Sequence, residues 1–330
     1  LLCVSVGTGL FKGNLQVMVG NLYDTPALQG RRDEAFSIFY MAINIGALFA
    51  PTAAVRIMDW AQHSLGYSEN DSYHFAFAVA CLSLVLSIII YYACRSTFRQ
   101  VEGTSAEMAK EEGTTEELSP AETRERIIAL CLVFAVVIFF WMAFQQNGLT
   151  LTFFADEFTA KTSTGVQAMA FDVFNLVALI FIVYSLFALF QSKTAKGRAI
   201  AAVVALLSVA YLVYDYVHTA GTVVPVSAPI FQHFNPSYVV MLTPISLAIF
   251  GYLARKGKEP SAPRKIAYGM VVAAVAYGIM LVGSLGLNTP DAQRLAGDNG
   301  TFVSANWLMG TYLVLTFGEL LLSPMGISFV

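Results

Sequence analysis

Nine apolar stretches recur along the chain, at residues 1–20, 36–56, 75–95, 127–148, 171–191, 198–217, 236–254, 265–287 and 307–330, and very little charge falls inside them. Each is long enough to cross the ~30 Å hydrocarbon core of a bilayer as a helix, which takes about 20 residues. Hydrocarbon offers no water to a backbone, so such segments must satisfy their own N–H and C=O groups within helices. The pattern predicts an all-α multi-pass membrane protein with about nine transmembrane helices. Composition agrees: 12% of residues are charged and 57% hydrophobic, against roughly 25% charged in a soluble domain. A net charge of -3 gives no reason to expect a nucleic-acid partner.

The loops carry a sidedness signal. Of the nineteen Lys and Arg residues, fifteen lie in alternate loops: 21–35, 95–126, 192–198 and 255–265. The remaining loops and helix ends hold three, Arg56, Lys161 and Arg294, and Lys12 lies inside the first span. This asymmetry places the first set in the cytoplasm. All four histidines, His63, His74, His218 and His233, fall on the opposite side and read as solvated or interfacial loop residues. The four cysteines, at 3, 81, 94 and 131, have no metal-ligand spacing and read as small core residues without disulfides. Residues 97–126 form a hydrophilic linker, with a surface helix expected from Ser119 or Pro120 before the next span. The chain begins and stops within apolar stretches, so further helices are expected on either side of it.

Three polar side chains inside spans need an explanation. Asn44 sits in an otherwise uncharged run that follows Arg31, Arg32, Asp33 and Glu34. Its carboxamide should face other helices or a cavity, either gluing helices together or touching a ligand. Lys12 lies mid-helix, where an ammonium must meet water, meet a carboxylate or lose its proton. Glu319 is as exceptional in the last span. A bond between these two charges would leave either one uncompensated if its partner were removed.

The lettering around these residues resembles a known family. FYMAINIGA, preceded by RRDEAFSI and followed by Pro51, is similar to the signature of the proton-dependent oligopeptide transporter family, in the major facilitator superfamily. GTGLFKGNLQVMVGNLYD at 7–24 resembles the helix before it, WMAFQQNG at 141–148 the seventh family helix, FNPSYVVMLTPI the start of the eighth, and TFGELLLSPMG the tenth. The resemblance covers 1–96, 127–156 and 234–330. It implies a partial major facilitator fold: 1–96 as the end of an N-terminal bundle, 97–126 as a cytoplasmic linker, and 127–330 as part of a C-terminal bundle. An added helix pair at about 171–217 lies outside the resemblance and reads as peripheral.

The resemblance implies proton-coupled symport of di- or tripeptides across the bacterial inner membrane by alternating access, with substrate held between the bundles. The family requires no cofactor beyond the coupling protons, and a monomer suffices. By motif position the substrate-binding residues are Lys12, Tyr40, Asn44, Trp141, Gln145, Asn235 and Glu319, with Lys12 and Glu319 also coupling protons. A peptide carries an ammonium, a carboxylate and amides. Lys12 suits its carboxylate, Glu319 its amine, Asn44, Gln145 and Asn235 its backbone, and Tyr40 and Trp141 its side chains. Gln145 departs from the family, which has a titratable glutamate there. The alternatives are a same-fold carrier of another small organic ion, or a proton-uncoupled peptide carrier or sensor. An enzyme is disfavoured, because the histidines read as loop residues and none stands with an Asp or Glu on an expected span.

Overall fold

The computed structural model describes residues 2–23, 28, 32–98 and 119–329, and their side chains except those of 12, 13, 32–34, 37, 262, 298 and 323–329. The expected helices form. They are α1 Leu2–Leu22, α2 Arg32–Leu65, α3 Glu69–Ala93, the one-turn α4 Arg95–Phe98, α5 Pro120–Phe144, α6 Thr150–Phe158 and the short α7 Gly165–Met169. After these come α8 Val173–Gln191, α9 Ala195–Thr219, α10 Phe234–Arg255, α11 Ala262–Gly283, α12 Pro290–Ala296 and α13 Asn306–Phe329. Among the described residues, eight helices are long and apolar enough to cross a membrane. α13, 24 residues long, occupies the ninth expected position.

The helix ends follow from local chemistry. Ser119 and Glu122 form a reciprocal capping box: the Ser119 amide donates to Glu122 Oε2 (3.1 Å), and the Glu122 amide donates to Ser119 Oγ (3.3 Å). Pro120 supplies the first turn, where its missing N–H costs nothing. This cap starts the membrane helix itself, so the separate surface helix expected there does not form. Residues 99–118 of the linker lie outside the described residues. α2 and α3 run further than expected and draw Trp60, His63, Asn70, Asp71 and His74 into helix. Ser68 caps α3 by accepting from the Asp71 amide at 3.2 Å.

The chain divides into two compact units, Leu1–Ala42 with Ile57–Phe134, and Ile43–Arg56 with Ala135–Val330. In the first, α3 turns large apolar side chains outward, including Leu82, 67% exposed, as a helix facing lipid does. The cysteines at 3, 81, 94 and 131 are exposed and free, where buried positions were expected.

The second unit is built on a core of Leu48, Leu151, Phe171, Phe231, Phe234, Leu308 and Tyr312. α11 and α13 pack along one another. A Cβ on Gly269 would lie 2.8 Å from the Gly318 carbonyl oxygen, and one on Gly318 would lie 2.9 Å from that of Gly269. The two backbones therefore touch, as small residues allow in helices that lack a hydrophobic driving force for association. The added pair, α8 and α9, packs as a hairpin with α8 against α10, where the Tyr184 hydroxyl donates to the Val240 carbonyl (3.2 Å).

Three loops of this unit are stitched into one cap. Thr162–Ser163 (β1) pairs antiparallel with Val224–Pro225 (β2), and Thr159 bridges to Val303. The cap holds Lys161 and Arg294, paired with Asp156 and Glu157, and belongs to the side expected to be poor in Lys and Arg. The Glu157 carboxylate raises the already high pKa of Arg294. Both pairs involve an exposed cation, so each is worth at most about 1 kcal/mol.

Gln293 carries more of the cap. Its amide donates to the Glu157 and Thr301 carbonyls (3.2 Å each) and accepts from the Thr301 amide (3.0 Å) and Asn288 Nδ2 (3.3 Å). Gln293→Ala strands these buried groups and is expected to cost about 2–3 kcal/mol. Thermal unfolding in detergent should show it as a lower melting temperature, whereas Arg294→Ala should barely move it.

Candidate functional site

The span that begins with α5 is not continuous. α5 ends at Phe144, Gln145–Gly148 forms a 3-10 turn, Leu149 leaves helical geometry at φ -122° and ψ -82°, and α6 restarts at Thr150. Asn147 and Gly148 are both weak helix formers, which favours a break at this point. A break in hydrocarbon frees carbonyls that must find partners, and three elements supply them. The Tyr277 hydroxyl (α11) donates to the Ala143 carbonyl at 2.6 Å. The Tyr312 hydroxyl (α13) donates to the Asn147 carbonyl at 2.9 Å. Gln232, in the turn Ala228–His233 before α10, donates to the same carbonyl at 2.9 Å and to Thr152 Oγ1 at 2.7 Å.

Two helices converge on the carboxylate. Tyr312, Thr316 and Glu319 lie four and three residues apart, which puts them on one face of α13. Glu319 is 6% exposed and Thr316 is fully buried. Asn235, in the first turn of α10, donates from Nδ2 to Glu319 Oε2 and to Thr316 Oγ1, both at 2.9 Å. Pro236 follows Asn235 within that first turn, a place where Pro is accepted. A buried carboxylate is tolerable only with such hydrogen bonding, because desolvation costs several kcal/mol.

The structure thus joins two predicted site residues, Asn235 and Glu319, directly. Trp141 and Gln145 share the end of α5 and the 3-10 turn. Trp141 is edge-on to Phe140 and Phe144 of its own helix, and Gln145 is exposed. Asn44 is buried and partnered in the second unit, one turn before the core residue Leu48. Tyr40 is half-buried and partnered in the first unit. Lys12 lies within α1, and its side chain is outside the described ones.

Sequence reasoning missed Thr316, Tyr312, Tyr277 and Gln232. The signal for Thr316 and Tyr312 was their helical spacing from Glu319. It also misread His233, which is fully buried with neither ring nitrogen hydrogen-bonded among the described residues. The other three histidines are exposed as expected.

The chain matches the model of the POT family over residues 1–114 and 217–330. The segment between, which holds Trp141, Gln145 and most of the added helix pair, lies outside that match. The chain is 27% identical over 343 residues to an uncharacterised transporter, YclF, of Bacillus subtilis, covering 99% of this chain and 60% of that protein. It is 27% identical over 346 residues to dipeptide and tripeptide permease B of Shigella dysenteriae, covering 99% of this chain and 59% of the permease. It is 24% identical over 342 residues to the peptide transporter YePEPT of Yersinia enterocolitica, covering 99% and 60%. The chain therefore spans about 60% of the length of the curated relatives it matches. A crystal structure of a peptide transporter POT in complex with sulfate aligns with 98% of this chain and 60% of that one, at 23% identity and a TM-score of 0.47.

Proposed function

The chain belongs to the POT family of multi-pass membrane proteins, and on that premise we propose that the transporter containing it carries out proton-coupled symport of di- and tripeptides by alternating access. The observation that carries this reading is the buried Glu319 carboxylate, held by Asn235 in a helix that otherwise has no charge. Even a hydrogen-bonded carboxylate is costly inside a membrane-spanning helix, and an ionisable side chain kept there marks a functional position.

In this reading Glu319 receives the peptide ammonium and exchanges protons, and Asn235 orients it. Lys12 takes the substrate carboxylate. Asn44 and Gln145 bond the peptide backbone, and Tyr40 and Trp141 line its side chains. Protons are the coupling ion, no cofactor takes part, and the inner membrane is the site of action. A monomer carries out the cycle.

Titration calorimetry on the whole transporter tests the placement of the amine. Dialanine should bind, and N-acetyl-dialanine should bind at least about tenfold more weakly, since losing one charge-assisted hydrogen bond costs roughly 1.5–3 kcal/mol. Equal affinities would reject Glu319 as the amine site.

A second reading, a carrier uncoupled from protons, is favoured by one residue. Gln145 cannot titrate where the family resemblance implies a glutamate. Gln145→Glu separates the two. In an uncoupled carrier it should create a gradient response that was absent, and in a coupled one it should only shift the pH dependence of uptake.

A further inference from the structure

The break at Gln145–Gly148 and the Glu319 carboxylate are served by the same two chain segments. α13 supplies Glu319 and Thr316 to the carboxylate, and one to two turns earlier supplies Tyr312 to the break. The segment entering α10 supplies Asn235 to the carboxylate, and three residues earlier supplies Gln232 to the break. Each segment thus holds both places at once.

The spacing makes this more than proximity. Tyr312 is 1% exposed and rigidly packed in the core of the second unit beside Phe234. A packed helix transmits a shift as a body, because its core has discrete arrangements and not a continuum of them. If Asn235 releases Glu319, the start of α10 and the matching face of α13 lose one of their ties and keep the Thr316 hydrogen bond and the contact of Phe234 with Tyr312. The carbonyl of Asn147 loses donors only if Gln232 or Tyr312 moves with them. The carbonyl would then keep fewer donors, down to the local Thr152 hydroxyl at 3.2 Å if both left. A poorly satisfied carbonyl in a dry membrane interior is costly, so the break must adjust.

We infer that Tyr312 and Gln232 are positioning residues that couple the hydrogen bonding of Glu319 to the geometry of the helix break at 145–148. Tyr277, which holds the Ala143 carbonyl from α11, anchors the other edge of the break. The use of this coupling, to bend the Trp141 and Gln145 segment as the carboxylate changes partners, rests on the transport reading. Its existence does not, and neither does its test.

The test is amide hydrogen exchange of residues 145–150 in the whole transporter in lipid nanodiscs, without substrate. Glu319→Ala and Asn235→Ala each remove the hydrogen bond between these two side chains, at a distance from the break. Each should raise exchange at 145–150 about fivefold, within the range of coupling energies carried through packed elements. Exchange in α8 and α9 should stay unchanged, which separates a local response from general unfolding. In a Tyr312→Phe/Gln232→Ala background the break should already exchange faster, and neither substitution should change it further. The ring of Tyr312→Phe keeps the packing, so a purely structural role for Tyr312 would leave the response intact. The inference is overturned if 145–150 do not respond to either carboxylate-site substitution, or respond equally with and without the Tyr312 hydroxyl and the Gln232 amide. Peptide uptake measured on the same variants reports separately on the transport reading.

Discussion

Glu319→Ala in the whole transporter will abolish concentrative peptide uptake, lowering the initial rate under a proton gradient by about a hundredfold or more. On the proposed placement of the substrate ammonium at Glu319, losing that charge removes several kcal/mol of interaction. The substitution also leaves the Asn235 amide without its carboxylate, although Thr316 Oγ1 remains in reach. Glu319→Gln separates these effects. The glutamine carbonyl can still accept from Asn235 Nδ2, so folding should be close to that of the parent. It carries neither charge nor proton, so it should let dialanine equilibrate without accumulating it. Uptake assays with and without a gradient, beside melting curves for both variants, check this.

Gly269→Val will prevent the second unit from assembling. A side chain at this position meets the Gly318 backbone oxygen at 2.8 Å and the Cβ atoms of Leu321 and Leu322 at 3.4 Å. Backbone cannot swing away as a flexible side chain can, so α11 and α13 must separate. Overpacking of this kind costs about 1–3 kcal/mol and more where backbone must move. Because α13 carries Thr316 and Glu319, the carboxylate leaves Asn235 as the helices part. Gly269→Ala should lower the melting temperature, and the valine variant should not accumulate as folded protein. Gly278, on the same helix, has open space where a Cβ would go, so Gly278→Ala should not lower stability. Size-exclusion profiles and melting curves in detergent decide the matter.

Much of the fold was legible because a membrane leaves few choices. Runs of apolar residues could only be helices, and the imbalance of Lys and Arg set the ends of α8 through α11. Helix extents were less legible. The polar turns of α2 beyond residue 56 and of α3 before residue 75 looked like loops, yet a helix can leave the bilayer and continue with polar residues in water. The cysteines were expected inside because their neighbours are apolar, but an apolar neighbourhood in a membrane protein does not by itself imply burial.

The site was legible residue by residue but not as an arrangement. Glu319 and Asn235 stood out separately, one by its charge and the other by its motif. Nothing in their 84-residue separation announced the hydrogen bond between them. The stretch at 145–148 read as a motif and not as a break. Tyr277 and Tyr312 did not stand out because tyrosine is common in this chain, at fifteen positions, and fits many membrane environments. Their hydroxyls acquire a role only once the break frees carbonyls opposite them. His233 looked like a loop residue from its neighbours, whereas packing of Phe231 and Phe234 around the start of α10 carries it inside.

The central claim is that the transporter containing this chain moves small peptides with protons. It is tested most directly by uptake of labelled dialanine into proteoliposomes, with and without an inward proton gradient. The account predicts accumulation above the external concentration when the gradient is present, and equilibration without accumulation when it is absent. No movement of dialanine under either condition would contradict it.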